Sequence, residues 1–284
     1  MNTPPLDAAP AYLSGIPDTD YHAPDGRVSS SGLKALQRSP AHYLAEYGPD
    51  AVPREEIQAL LLGRLLHAVT LEGREEFMEA HDIDRRTKAG KEAWARLQEE
   101  ADGRAILKAD QVQMVRAVAA AVRAHPMAAL LLEQGAAEVS GYFTDPETGV
   151  HCKTRPDWLR VDDGVVVDLK STIDAGPGGF PREISRYSYH LSAAMYAHGF
   201  EVITGEPLRD FVFIAVEKTP PYAVGVYRLD DEAMEAGRRL YRRALRTYAE
   251  CLASDRWPGY GEDIQTISVP AWALNTHDDE ETTP

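Results

Sequence analysis

Cysteine is almost absent from this chain: Cys152 and Cys251 are the only two in 284 residues. Two thiols make no disulfide framework and cannot supply the four ligands of an iron–sulfur cluster. No run reaches the ~18 apolar residues that a membrane helix needs, and no basic stretch followed by an apolar core opens the chain. A cytoplasmic protein with no membrane phase is the expectation. Basic residues are also scarce, with 30 Lys and Arg against 45 Asp and Glu, a formal charge of −15. Such a balance is awkward for a nucleic-acid binder unless the positive charge is concentrated locally. No internal repeat is visible. What the chain does have is length and a hydrophobic content of 44%, enough to bury a sizeable core in a single domain.

The densest chemistry lies between Arg155 and Ser171, in the run R-P-D-W-L-R-V-D-D-G-V-V-V-D-L-K-S. Asp162-Asp163-Gly164 separates an alternating apolar run from the β-branched Val165-Val166-Val167, which predicts a hairpin. If Asp162 and Asp163 form the loop, Asp157 falls opposite Asp168; if Asp163 and Gly164 form it, Asp157 falls opposite Lys170. Either register puts all three on one face, because strand side chains alternate with a period of two. Pro156, which cannot donate to a ladder, suits a bulge or an edge. Two carboxylates with Cβ atoms ~5 Å apart repel each other unless a cation lies between them. Mg²⁺ suits such all-oxygen ligation, and Lys170 would then orient a water and offset charge building on a phosphate. The alternative is a surface Asp–Lys pair worth ~0–1 kcal/mol.

R-P-D at 155–157 and D-L-K-S at 168–171 resemble the PD-(D/E)xK nuclease superfamily, specifically its RecE-like (exodeoxyribonuclease VIII-type) exonucleases. S-S-S-G-L-K-A-L (29–36), S-P-A-H-Y (39–43), G-R-L-L-H (63–67), D-R-R-T-K-A-G-K (84–91) and Y-H-L-S-A-A-M-Y (189–196) follow the same family in chain order, over about residues 21–260. The cysteine count argues against the Cas4-like and AddB-like branches, which carry iron–sulfur clusters. The resemblance implies that Asp157, Asp168, Glu138 and His67 hold metal, Mg²⁺ with Mn²⁺ as a substitute, and that Lys170 is the catalytic lysine. Glu138 begins a predicted strand, Glu138 to Phe143, joined through Pro146 to Gly149 to the strand carrying Asp157. His67 is four residues from Gly63 and three from Arg64, on a helix face with a small neighbour. Relatives carry Gln and Tyr four residues apart after the catalytic hairpin; here Ser192 takes the Gln position and Tyr196 is retained. Ser192, Tyr196, Arg85, Arg86 and Lys88 are the expected substrate contacts.

The implied activity is a metal-dependent deoxyribonuclease that degrades linear double-stranded DNA, 5′ to 3′, leaving single strands for phage-type recombination. A homo-oligomeric ring and a RecT-type single-strand annealing partner are implied as well. The rival readings are a catalytically weak DNA-binding scaffold with the same fold and an endonuclease of the same superfamily.

Positive charge clusters twice, at Arg85, Arg86, Lys88 and Lys91 and along Arg238, Arg239, Arg242, Arg243 and Arg246. The first, which contains Gly90, suits a flexible arm gripping a phosphate backbone; the second is a solvated or subunit-contact face more readily than a phosphate track. Residues 1–20, rich in Pro, Ala and Asp, predict a loose arm, and 261–284 a tail whose acidic end, Asp278 to Glu281, predicts disorder. Between them, 21–134 reads as helical and 135–260 as a sheet with a final helix. Helices are predicted over 31–38, from Pro40, and over 54–71, 74–81, 88–101, 110–125, 182–199 and 231–254. Strands are predicted over 137–144, 150–161, 165–171, 209–217 and 223–229. The order gives an α/β fold, a restriction-endonuclease-like core with a mixed central sheet after a helical N-terminal region. The loop from Ile173 to Pro181, with its glycines, is either a DNA clamp or a connector.

Overall fold

The computed structural model describes residues 3–52, 57–80, 83–270 and 274. Arg54 of the helix predicted over 54–71, His81, Asp82 and the acidic end Asp278 to Glu281 lie outside them. The β-branched run forms β8 (Val165–Thr172), the middle strand of a five-stranded sheet. On one side it pairs in parallel with β9 (Asp210–Glu217), which pairs with β10 (Val224–Arg228); on the other it pairs antiparallel with β7 (Trp158–Arg160), which pairs with β4 (Ala136–Ala137). One parallel pair among antiparallel ones makes the sheet mixed, as expected.

Alternation along β8 decides its two faces. Val165, Val167 and Leu169 pack with Leu66 of α4 (Gln58–His67) and with Val118 and Val122 of α6 (Ala109–Ala124). Val166 faces the other way, toward Phe180 of α8 (Phe180–Arg186) and Ala193 and Phe200 of α9 (Tyr189–Thr204). Each fully buried aliphatic or aromatic side chain here contributes about 1.5–3 kcal/mol. Asp168 and Lys170 share the phase of Val166, so the polar pair sits at the end of an apolar face. Outside α9 runs α10 (Asp231–Ser254), capped as predicted by Asp230, whose carboxylate accepts from the Ala233 N–H at 2.8 Å. Gly237 allows the two helices to touch: a Cβ there would lie 2.1 Å from the His190 carbonyl oxygen.

Several elements differ from the sequence reading. Residues 74–80 of the helix predicted over 74–81 are not helical; Phe77–Ala80 is strand β2, parallel to β3 (Ala105–Lys108), and these flank α5 (Lys88–Ala101). Pairing with a distant segment has overridden helix-favouring Glu, Met and Ala. The predicted 182–199 helix is two, because Ser188 adopts a left-handed backbone between α8 and α9. The 1–20 arm is partly docked: β1 (Ala11–Leu13) pairs with β5 (Ser140–Thr144), and α1 (Asp18–His22) follows it. Three buried cations pin this segment. Lys153 donates to the Tyr21 and Ala23 carbonyls, Arg155 to Asp18 and the Ile16 carbonyl, and Arg27 to the Pro4 and Pro5 carbonyls. The Ile173 to Pro181 loop is a tied connector, since the Ala175 carbonyl accepts from Tyr227 and Gly179 closes against Asp174. Among the described residues no single helix is long and apolar enough to cross a membrane.

The predicted strands 137–144 and 150–161 are each broken in two. Their outer ends, β5 and β6 (His151–Thr154), form a three-stranded sheet with β1, whereas β4 and β7 join the main sheet. One register runs through both parts: Ala136 faces Leu159 in the main sheet and Gly141 faces Thr154 in the small one. The ladder opens between, at Pro156, and Glu138 and Asp157 stand opposite each other in the opening, where the Glu138 N–H donates to the Asp157 carbonyl at 3.2 Å.

Candidate active site

The turn at Val161–Gly164 fixes which hairpin register holds. Arg160 faces Val165, Gly164 takes a positive φ of 63°, and the Gly164 N–H closes on the Val161 carbonyl at 3.1 Å. Asp162 and Asp163 are thus central, and the pairing carried past Trp158–Val167 sets Asp157 against Asp168. With Glu138 opposite Asp157 on the other side, three carboxylates stand in a row on three neighbouring strands.

Asp157 is held by its backbone neighbours. Its Oδ2 accepts from the Leu169 N–H at 2.7 Å, and its Oδ1 lies 3.6 Å from Nδ1 of His67. The imidazole, at the C-terminal end of α4, meets the Leu169 carbonyl through Nε2 at 2.9 Å. A carbonyl only accepts, so Nε2 carries the hydrogen in this contact, and Nδ1 is the ring nitrogen turned toward Asp157. Glu138 has a left-handed backbone, φ 53°, a conformation costing of order 1–3 kcal/mol for a residue with a Cβ. Burial first, and the Asp157 carboxylate second, push its carboxyl up to about 8.

Ligand atoms of His67, Glu138 and Asp157 lie within 4.8 Å of one another, close enough to share one ion. Two half-buried carboxylates and an imidazole nitrogen within reach of one another fit a divalent metal. Asp168 differs from its expected place, because its carboxylate is ion-paired with Lys170 rather than grouped with these three. Lys170 Nζ is also 3.7 Å from Asp157 Oδ2. Burial alone would lower this ammonium, but Asp168 and then Asp157 outweigh it and hold it above the ordinary lysine range. Lys170 is therefore a fixed positive charge beside the ligand set.

A cleft of about 960 Å³ opens onto these groups, with Glu138, Asp157, Lys170, Tyr189 and Tyr196 in its wall. Tyr196 donates to the Arg155 carbonyl at 3.1 Å, bracing the strand break. Ser192 is buried and not part of the lining. Arg85, Arg86 and Lys88 are also outside this cleft: Arg86 pairs with Asp84, and Arg85 lies 4.4 Å over the Trp94 ring. Their loop is a built turn rather than a flexible arm. Thr87 donates to the Asp84 carbonyl and caps α5, and Gly90 is required because a Cβ would fall 1.9 Å from that carbonyl oxygen.

Two participants were not assigned from sequence. Tyr189 presents its ring to Lys170 at 5.3 Å and to Lys34 of α2 (Ser30–Arg38) at 5.2 Å. Burial and then Lys170 bring the Lys34 ammonium down to about 8, against the pull of Asp168. The second is the docked segment Gly15 to His22, most of which lines the same cleft although it is remote from the hairpin in sequence. Only the S-S-S-G-L-K-A-L resemblance pointed toward Lys34, and nothing local marks the segment.

A family model described as a PDDEXK-like domain of unknown function (DUF3799) matches residues 29–270. The chain belongs to this family. The PDDEXK-like fold is seen again in a solved structure of a candidate exonuclease from Eubacterium rectale, with a TM-score of 0.59 and 17% identity, covering 94% of this chain and 100% of that one. A phage-related exonuclease from Haemophilus somnus 129PT aligns over 79% of this chain and 95% of its own at 10% identity, with a TM-score of 0.32. No curated protein matches in sequence. The PD-(D/E)xK resemblance and the α/β fold class read from the sequence both stand on the family match and the first of these structures.

Proposed function

We propose that this PDDEXK-like protein is a divalent-metal-dependent deoxyribonuclease of the RecE-like kind that degrades linear double-stranded DNA from its ends. The observation that carries the reading is the row Glu138, Asp157, Asp168 on adjacent strands, with His67 beside it and Lys170 between the last two carboxylates. His67, Glu138 and Asp157 would hold the metal, and Asp168, ion-paired with Lys170, stands next to them as a further candidate ligand. A bound Mg²⁺ or Mn²⁺ supplies Lewis acidity toward a phosphodiester oxygen and toward water. Lys170 orients the attacking water and balances charge on the phosphate, and its fixed protonation suits it to that rather than to taking a proton. The Leu169 N–H and C=O hold Asp157 and His67 in place through their second polar atoms. Tyr196 braces the break that carries Asp157, and Tyr189 keeps Lys170 over the cleft floor.

End preference, 5′ to 3′ direction, a ring of subunits and a RecT-type partner extend the reading through the family resemblance. The test is incubation with linear and closed circular duplex DNA, with Mg²⁺ or EDTA, beside Asp168→Ala. Loss of the linear form alone, only with metal, is expected, and the variant should be slower by about 100-fold or more. Cutting of the circle would make the protein an endonuclease. Intact DNA in every tube would favour a scaffold that keeps the fold without turnover.

A further inference from the structure

An exonuclease that removes one strand leaves the other unpaired beside the cleft, so the following rests on the nuclease reading. Two further hollows adjoin that cleft around the first half of α4. The nearer, about 270 Å³, shares Ala59, Gly63 and Ser171 with the cleft, so it begins one residue beyond Lys170, and it contains Lys218. The farther, about 820 Å³, shares Gln58 with the nearer and is lined by Arg85, Trp94 and Lys108. Gly63, on the saddle between cleft and nearer hollow, has open space where a Cβ would be. The three hollows therefore form one run across the start of α4.

Its far end has an unusual use of charge. Arg85 is exposed, yet its guanidinium lies over the Trp94 indole and takes no carboxylate partner among the described residues. Lys108 and Lys218 are exposed and equally without an ion pair among those residues. Glu79 and Asp110 also line the far hollow, so its field is mixed rather than uniformly positive. We propose that this run is the path of the uncut single strand, with phosphates passing Lys218 and Lys108 and an unpaired base stacking on the Arg85–Trp94 platform. A stacked guanidinium and indole offer an extended flat face to which each base of an unpaired strand can present its own; within a duplex both faces of every base but those at the ends are covered by neighbours. Lysines along such a path track the backbone without reading sequence.

The binding test uses the full chain carrying Lys170→Ala, to stop turnover, with a fluorescent 20-nucleotide oligothymidylate and a blunt duplex, read by anisotropy. Trp94→Ala should weaken oligothymidylate binding about tenfold, and Lys218→Glu should weaken it and flatten its salt dependence. Duplex affinity should change less than about twofold. Trp94→Phe keeps a stacking face and should retain most of the affinity, which separates lost stacking from a misfolded helix. Unchanged oligothymidylate binding in both Trp94→Ala and Lys218→Glu, or an equal loss for the duplex, overturns the path. Hydrolysis of bis-p-nitrophenyl phosphate with Mn²⁺ by otherwise unaltered protein tests the nuclease reading alone, because so small a diester never leaves the cleft. Its failure with strand binding intact would remove the enzyme and keep the path; the reverse would remove the path and keep the enzyme.

Discussion

The two basic clusters of this acidic chain differ in what the fold brings to them. Along α10, Arg238 and Arg239 meet Glu235, Arg242 reaches Asp145 and Glu147, and Arg246 takes Glu147. In the 84–91 segment only Arg86 has a carboxylate, Asp84; Arg85 covers Trp94, and Lys88 and Lys91 have no ion-pair partner among the described residues. The i, i+4 arginine stripe looks the stronger polyanion site in sequence, yet the β5–β6 turn neutralises much of it. A stripe of one sign is evidence for a nucleic-acid track only when no distant acids fold onto it.

The sharpest way to break this contrast is Asp145→Ala. Asp145 is fully buried and accepts from Arg242, His198 and Thr148. Removing it leaves the partly buried Arg242 guanidinium with Glu147 alone and unpairs Thr148 and His198, so stability should fall by about 1–3 kcal/mol in denaturant titration, with oligothymidylate binding little changed in the folded fraction. Burial works against the Asp145 charge, but the Thr148 and Arg242 bonds prevail and hold its carboxyl below the ordinary value. Its contribution is therefore full above pH ~4 and disappears as the pH falls through the lower folded value. Burial, then Arg242, hold His198 below the ordinary histidine value, which adds a loss of stability as pH drops below ~6.5. Tm should decline as the pH falls from about 7 in the unaltered protein, and the part of that decline below pH ~4 should be reduced in Asp145→Ala.

Charge reversal of Arg85, Lys88 and Lys91 together comes next. It should weaken single-strand binding by about 10- to 100-fold, roughly 1.4–2.7 kcal/mol, and reduce the salt slope by about 2 to 3; the same reversal at Arg238, Arg239 and Arg243 should do much less. Equal losses at both sites would erase the distinction drawn above. The smallest effect belongs to Glu147→Gln. Its pairs with Arg242 and Arg246 are at the surface, so stability should change by ~0–1 kcal/mol, while any gain in DNA affinity would measure how much charge this one carboxylate hides.

The local chemistry of the hairpin was legible because a D-D-G turn and a valine run fix strand phase within a few residues. That alone puts Asp157, Asp168 and Lys170 on one face, and the turn at Val161–Gly164 resolves which register holds. Glu138 was not legible in the same way, since its place opposite Asp157 depends on a ladder that opens and resumes. His67 needed the fold too, because it meets Leu169 across 102 positions. Composition misled at the N-terminus, where prolines and alanines suggest looseness but Lys153, Arg155 and Arg27 supply the anchoring from far along the chain. It misled again at 74–81, where pairing with 105–108 outweighs helical propensity, and at Gly90, where glycine serves a tight approach and not a flexible arm.

The split hairpin has a consequence for how this protein can vary. Because both halves keep one register, the two strands leave the main sheet at the same rung, and Glu138 and Asp157 occupy the rung where they part. An inserted or deleted residue between Ala136 and Gly141 would move Glu138 out of step with Asp157 unless the strand from Thr154 to Leu159 changed length by the same amount. The turn from Asp145 to Gly149 lies beyond that constraint and can change length without disturbing the match. Chain length is thus free at the tip of the hairpin and locked in pairs at its waist.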